Sequence, residues 1–153
     1  MIDEAFLRAL VFLPLIAYCV AKLEINIEGK HGWAENLPTW RIKYKAMNLF
    51  WGKSPLTGYH LWLFLSIFVF LHFPFFLAAE WSPAWELRIM SLYFFFWIIE
   101  DFLWFVLNPH FGISKFNKEN IPWHPHWYGP MPMSYYRFFI GGILLAFLSY
   151  LFN

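Results

Sequence analysis

Four stretches of the chain are apolar almost throughout, and shorter polar segments separate them. A helix needs about 20 mostly apolar residues to cross the hydrocarbon of a bilayer. The runs "AFLRALVFLPLIAYCVAKLEI" (5–25), "YHLWLFLSIFVFLHFPFFLAA" (59–79), "WELRIMSLYFFFWIIEDFLWFVLN" (85–108) and "YYRFFIGGILLAFLSYLFN" (135–153) all come up to it. The pattern predicts an all-α membrane protein, a four-transmembrane-helix bundle forming a single domain over 1–153. Pro14 predicts a kink in the first span, and Pro109 ends the third. Trp and Tyr near most span ends suit an interfacial belt.

Composition supports lipid as the solvent for most of the chain. Of 153 residues, 60 % are hydrophobic, 25 % aromatic and only 14 % charged, too few charges for the surface of a soluble domain. The net charge of +1, without a basic-aromatic groove or finger spacing, gives no reason to expect nucleic acid. Membrane lipids are the expected partners, and a homo-oligomer is compatible with the pattern. Cys19 is the single cysteine, which excludes Cys-pair disulfide oxidoreductases and zinc sites built from several thiolates. The acidic start "MIDE" and the lack of a small-residue cleavage site predict a retained first helix rather than a cleaved signal.

Lys and Arg give an orientation. Lys30, Arg41, Lys43, Lys45 and Lys53 lie between spans one and two; Lys115 and Lys118 lie between three and four, and Arg137 opens the fourth. The short middle segment has only Arg88. The positive-inside rule places both long loops in the cytoplasm and both termini outside, with Arg8 as a counter-signal. Within the first loop, "WRIKYKAMNLFW" (40–51) puts Trp40, Tyr44, Met47 and Trp51 on one helical face beside Arg41, Lys45 and Asn48. That pattern predicts an interfacial amphipathic helix along the headgroups.

This topology sends the polar residues toward one end. Span one ends there with Glu24 and Glu28, followed by His31; span two starts there at His60; span three arrives with Glu100, Asp101 and Asn108, followed by His110. His124 and His126 lie in the next loop. Ionisable groups in membrane helices are costly and usually mark a site inside the bundle. Trp97, Asp101, Trp104 and Asn108 form one helical stripe, so Asp101 is the expected interior carboxylate, and Glu100 approaches from about 100° away. In "WHPHW", Pro125 extends the chain at His124, so His124 and His126 point to the same side and suit one metal ion. Carboxylates nearby favour zinc, iron or manganese. Glu28 and His31 have the Glu-x-x-His spacing of four-helix di-iron sites, but there is only one such motif, and Gly29 and Gly32 argue for a helix end. His72 lies about 18 Å along span two from His60 and reads as a lone core histidine bonded to a backbone carbonyl.

There is no G-x-S-x-G elbow, no Walker loop and no H-x-x-H-H box. The expected function is a small multi-pass membrane metalloenzyme, hydrolytic or oxidative, acting on a lipid or other apolar substrate near the cytoplasmic face. Its metal ligands would come from His124, His126, Asp101, Glu100, His60, His110, His31 and Glu24. Glu100, Asp101 and Glu28 are the candidates for catalytic acid/base work. Two alternatives belong to other classes. One is a b-type haem or quinone-linked electron-transfer subunit, with His60 paired to His110 or His124; the other is a non-catalytic membrane scaffold.

Overall fold

The computed structural model describes residues 4–43, 54–77 and 80–152. Four long helices carry the fold: α1 (Glu4–Glu28), α2 (Gly58–Leu77), α3 (Pro83–Leu107) and α4 (Met133–Ser149), the last continuing as a 3-10 turn over Tyr150–Phe152. All four, the turn included with α4, are long and apolar enough to cross a membrane. By length and composition the chain is therefore an integral membrane protein.

Helix α3 is the hub. Within an apolar stretch of 18 residues 44 % are buried, against 11–22 % in the corresponding stretches of the other three. Ser82 starts it, its hydroxyl accepting from Trp85 N at 3.2 Å, with Pro83 following where no amide proton is needed. Ala84, Arg88, Leu92, Phe96, Glu100 and Trp104 recur every four residues along its buried face. Helix α1 presents Phe6, Leu13, Ala17, Ala21, Glu24, Ile25 and Glu28 as its own buried stripe. Ala17 and Ala21 are completely buried, because small side chains let two membrane helices approach closely. On the far flank, Gly141 and Gly142 of α4 do the same, each lying where a Cβ would meet the ring of Phe94 or Phe95 at 2.8 Å.

The core has two levels. Phe6, Leu13, Ala17, Ile67, Leu92 and Phe96 fill the lower one. Ala21, Ile25, Trp104, Phe105 and Ile121 fill the upper, where Phe116, Trp123 and Trp127 from the last long loop pack over the helix ends. The outward residues of α2, including Trp62, Val69, Phe70, Phe73 and Phe76, are exposed, as expected of a lipid-facing surface.

Both long loops close over the same end. Gly29, at φ 65°, stops α1, and its amide donates to Ile25 O at 2.9 Å. Asn108 caps α3 and donates its side-chain amide to Gly29 O at 2.7 Å, tying the ends of α1 and α3 together. Ser54 Oγ donates to Trp123 O at 3.5 Å between the loops. Two short antiparallel ladders lie in these segments: β1 (Arg41–Ile42) with β2 (Leu56–Thr57), and β3 (Trp127–Tyr128) with β4 (Met131–Pro132). Most of the amphipathic helix expected over 40–51 lies outside the described residues. Its first turn is not helical: Arg41 and Ile42 are extended, and the Arg41 guanidinium binds the carbonyls of Ala34, Glu35, Leu37 and Thr39.

Candidate functional site

The buried stripe of α1 does not stop where the apolar residues stop. After Ala17 and Ala21 it continues into Glu24 and Glu28, so the spacing that packs the helix against α3 also turns two carboxylates inward. The stripe of α3 does the same through Glu100, which follows Phe96 by one turn and precedes Trp104 by another. Glu24 is 5 % exposed and Glu100 2 %, and the Glu24 carboxyl lies against that of Glu100.

Helix α2 brings His60 to the same place. Thr57 immediately precedes the helix, and its hydroxyl oxygen accepts the His60 amide at 3.1 Å, an N-cap three residues ahead. The same oxygen stands 2.7 Å from His60 Nδ1. With the Nδ1 proton donated to Thr57, Nε2 carries a free lone pair and faces Glu28 Oε1 at 3.9 Å. Glu24, Glu28 and His60 each offer a ligand atom, and these atoms all lie within 4.8 Å of one another.

The loop after α1 folds back over this group. Trp33 stacks on the His60 ring with centroids 4.3 Å apart, and its indole donates to Pro55 O at 2.7 Å. Ala34 N donates to Glu28 Oε1 at 2.5 Å. Trp33 and Ala34 both have left-handed backbone conformations, φ 58° and 53°. Such residues cost of order 1–3 kcal/mol each and persist where the surroundings over-determine them. Here the indole stack and the bond to Glu28 do so.

A second set of polar groups enters from α3, α4 and the last loop. Asp101 Oδ2 accepts the Tyr135 hydroxyl at 2.5 Å and lies 3.1 Å from His124 Nε2. His124 is 9 % exposed; Trp127 Nε1 donates to its carbonyl at 2.6 Å and fixes the backbone.

These groups share one cavity of about 110 Å³. Its polar wall is Glu24, Glu28, His60, Glu100, Asp101 and His124, with Tyr135 and Ser134 beside them; its apolar wall is aromatic, chiefly Phe64, Tyr93, Phe94, Trp97 and Phe138. Among the described residues, no Lys or Arg lines it. Buried carboxylates without basic partners are costly unless a proton or a cation neutralises them. The arrangement can therefore hold a hard or borderline divalent ion through oxygen and imidazole ligands.

The structure thus gathers six of the expected residues and leaves others out. Glu100 is more deeply buried than Asp101, whose side chain is 29 % exposed, because Glu100 continues the four-residue stripe and Asp101 lies one position off it. His126 is exposed and outside the cavity lining, unlike His124; its carbonyl accepts Met133 N at 2.8 Å next to the β3–β4 hairpin. His31 turns instead to Glu35, 3.4 Å away. His110 is exposed at the helix end, its amide donating to Asn108 Oδ1. His72 sits elsewhere, with Nδ1 2.7 Å from Phe68 O and Nε2 3.1 Å from Glu86. Thr57, Trp33 and Tyr135 are site residues that the sequence reading missed. Only Thr57 had a local signal, as a capping residue three positions before His60. No family model, curated protein or solved structure matches the chain.

Proposed function

We propose that the protein is a small multi-pass membrane metalloenzyme acting on a lipid or another apolar substrate. The observation that carries this reading is the group Glu24, Glu28 and His60, with ligand atoms within 4.8 Å of one another at the polar end of an aromatic-walled cavity. Zinc, iron or manganese suits carboxylate and imidazole donors. The bound ion would act as a Lewis acid or activate water, with Asp101 or Glu100 as the neighbouring acid or base. Phe64, Tyr93, Phe94, Trp97 and Phe138 would receive the apolar part of the substrate. Lys and Arg in the long loops favour a site near the cytoplasmic face.

The haem alternative has less to support it, since His110 is exposed outside the cavity and the carboxylates lining the cavity with His60 and His124 have no part in haem ligation. The test is direct. Protein purified in detergent is analysed for metals by mass spectrometry and scanned for a Soret band, and metal-loaded and stripped samples are incubated with membrane lipid extracts. The expected result is bound zinc, iron or manganese, no Soret band, and a lipid product made only by the loaded protein and lost in Glu28→Gln. A Soret band would point to electron transfer. Metal-free protein unable to take up an ion would leave the scaffold reading.

A further inference from the structure

The polar wall of the cavity holds more ligands than one ion needs. We propose that it is a dinuclear metal site: Glu24, Glu28 and His60 hold one ion, Asp101 and His124 hold a second, and Glu100 bridges them. This inference rests on the metal-dependent reading above and extends it, with Asp101 and Glu100 becoming ligands in place of a free acid or base.

Four observations converge. First, Glu100 is 2 % exposed, lines the cavity, and among the described residues its Oε1 has no hydrogen-bond partner. With the Glu24 carboxyl against it, two buried carboxyl groups need a shared proton or a cation between them, and an ion between the two half-sites supplies the cation. Second, Asp101 Oδ2 and His124 Nε2 are 3.1 Å apart. Two ligands at right angles around an ion with bonds of about 2.0–2.2 Å stand about 3 Å apart. Third, four carboxylates with no Lys or Arg on the wall match the charge of two divalent ions, whereas a single ion leaves two of them to be neutralised by protons. Fourth, four carboxylates and two imidazoles are the donor set of dinuclear carboxylate centres in four-helix bundles. Here they are distributed differently: two carboxylates come from α1, two from α3, one histidine from the start of α2 and one from a loop.

The sequence alone hides this arrangement because the Glu-x-x-His pair it displays, Glu28 and His31, is not the pair that meets. Glu28 instead meets His60, and the second histidine comes from a segment outside the helices.

Manganese titration of the stripped, detergent-solubilised protein tests the proposal. The expected end point is two Mn(II) per chain by mass spectrometry after desalting. The electron paramagnetic resonance spectrum should change from an isolated-ion signal at one equivalent to an exchange-coupled one at two, since ions in such pairs lie about 3.5–4 Å apart. His124→Ala should bind one Mn(II) with an isolated-ion spectrum, and so should His60→Ala; size-exclusion profiles matching the unmodified protein show that each variant is folded. One ion per chain in the unmodified protein overturns the dinuclear site but leaves the single-ion reading standing. Two uncoupled ions also overturn it. No bound ion overturns both.

Discussion

Tyr135 donates its hydroxyl to Asp101 Oδ2 at 2.5 Å, from the first turn of α4 to the last third of α3. The tyrosine is 8 % exposed, so the bond is made where water competes little. It joins the helix that follows the last long loop to the polar wall of the cavity.

Removing that donor should be costly. A hydrogen bond to a charged group contributes about 1.5–3 kcal/mol, so Tyr135→Phe is expected to lose an amount of that order in unfolding from mixed micelles. Asp101→Ala, which removes the acceptor, should lose at least as much. The double variant should lose much less than the two together, because both singles break the same contact. Strict additivity in that cycle would mean the two residues do not act on each other.

Thr57 has two tasks that a single experiment separates. Its oxygen caps α2 through the His60 amide and also orients the imidazole. Thr57→Val should lose about 1 kcal/mol from the missing cap. It should also weaken metal binding about 10–100-fold, the usual effect of losing the partner that orients a ligand. Thr57→Ser should restore both. Chelator competition reads the second effect independently of stability, and unchanged affinity in the valine variant would reduce Thr57 to a cap.

The bond from Asn108 to the Gly29 carbonyl is the clasp between α1 and α3 at the site end. Asn108 is 1 % exposed, and losing a buried hydrogen bond of this kind costs about 1–3 kcal/mol. Asn108→Ala should lower the unfolding free energy by that order. It should also weaken metal binding, because Glu28 sits on the turn of α1 that the clasp holds. A melting temperature equal to that of the unmodified protein would rule the clasp out as a stabilising contact.

These residues show how far the chain could be read without its fold. The four spans were legible because length and continuous apolarity dictate membrane helices; expected and observed ends differ by only a few residues. Gly29 signalled the end of α1, and the carboxylates of α1 and α3 signalled a site because charge is costly in lipid. The partners were not legible. Whether Glu28 would meet His31 or His60 depends on how α2 docks, and nothing in local spacing encodes that. The stripe Trp97–Asp101–Trp104–Asn108 points Asp101 inward and Glu100 aside. The alternative, Phe96–Glu100–Trp104, differs by one residue and is favoured only once α1 lies against it. "WHPHW" has the alternation of an extended metal-binding arm, yet the chain turns there into the β3–β4 hairpin, with His124 buried on the cavity wall and His126 exposed outside it.

Orientation in the membrane gives the last test. The clasp between Asn108 and Gly29 and the contact of Ser54 with Trp123 put the first and last loops at one end of the bundle, and the α2–α3 connection must then emerge at the other. Lys and Arg in the long loops favour the cytoplasm for that shared end. In a Cys19→Ser background, Asn36→Cys and Lys118→Cys sample exposed positions in the two long loops, and Glu80→Cys samples the opposite connection. An impermeant maleimide applied to intact cells should label only Glu80→Cys, and the other two should react after permeabilisation. Labelling of positions 36 and 118 from outside, with 80 protected, would invert the protein in the membrane and move the site to the outer face without altering its geometry. Opposite behaviour of 36 and 118 would be more serious. The two loops could not then close over one end, and the carboxylates of α1 would be separated from His124 by the thickness of the bilayer.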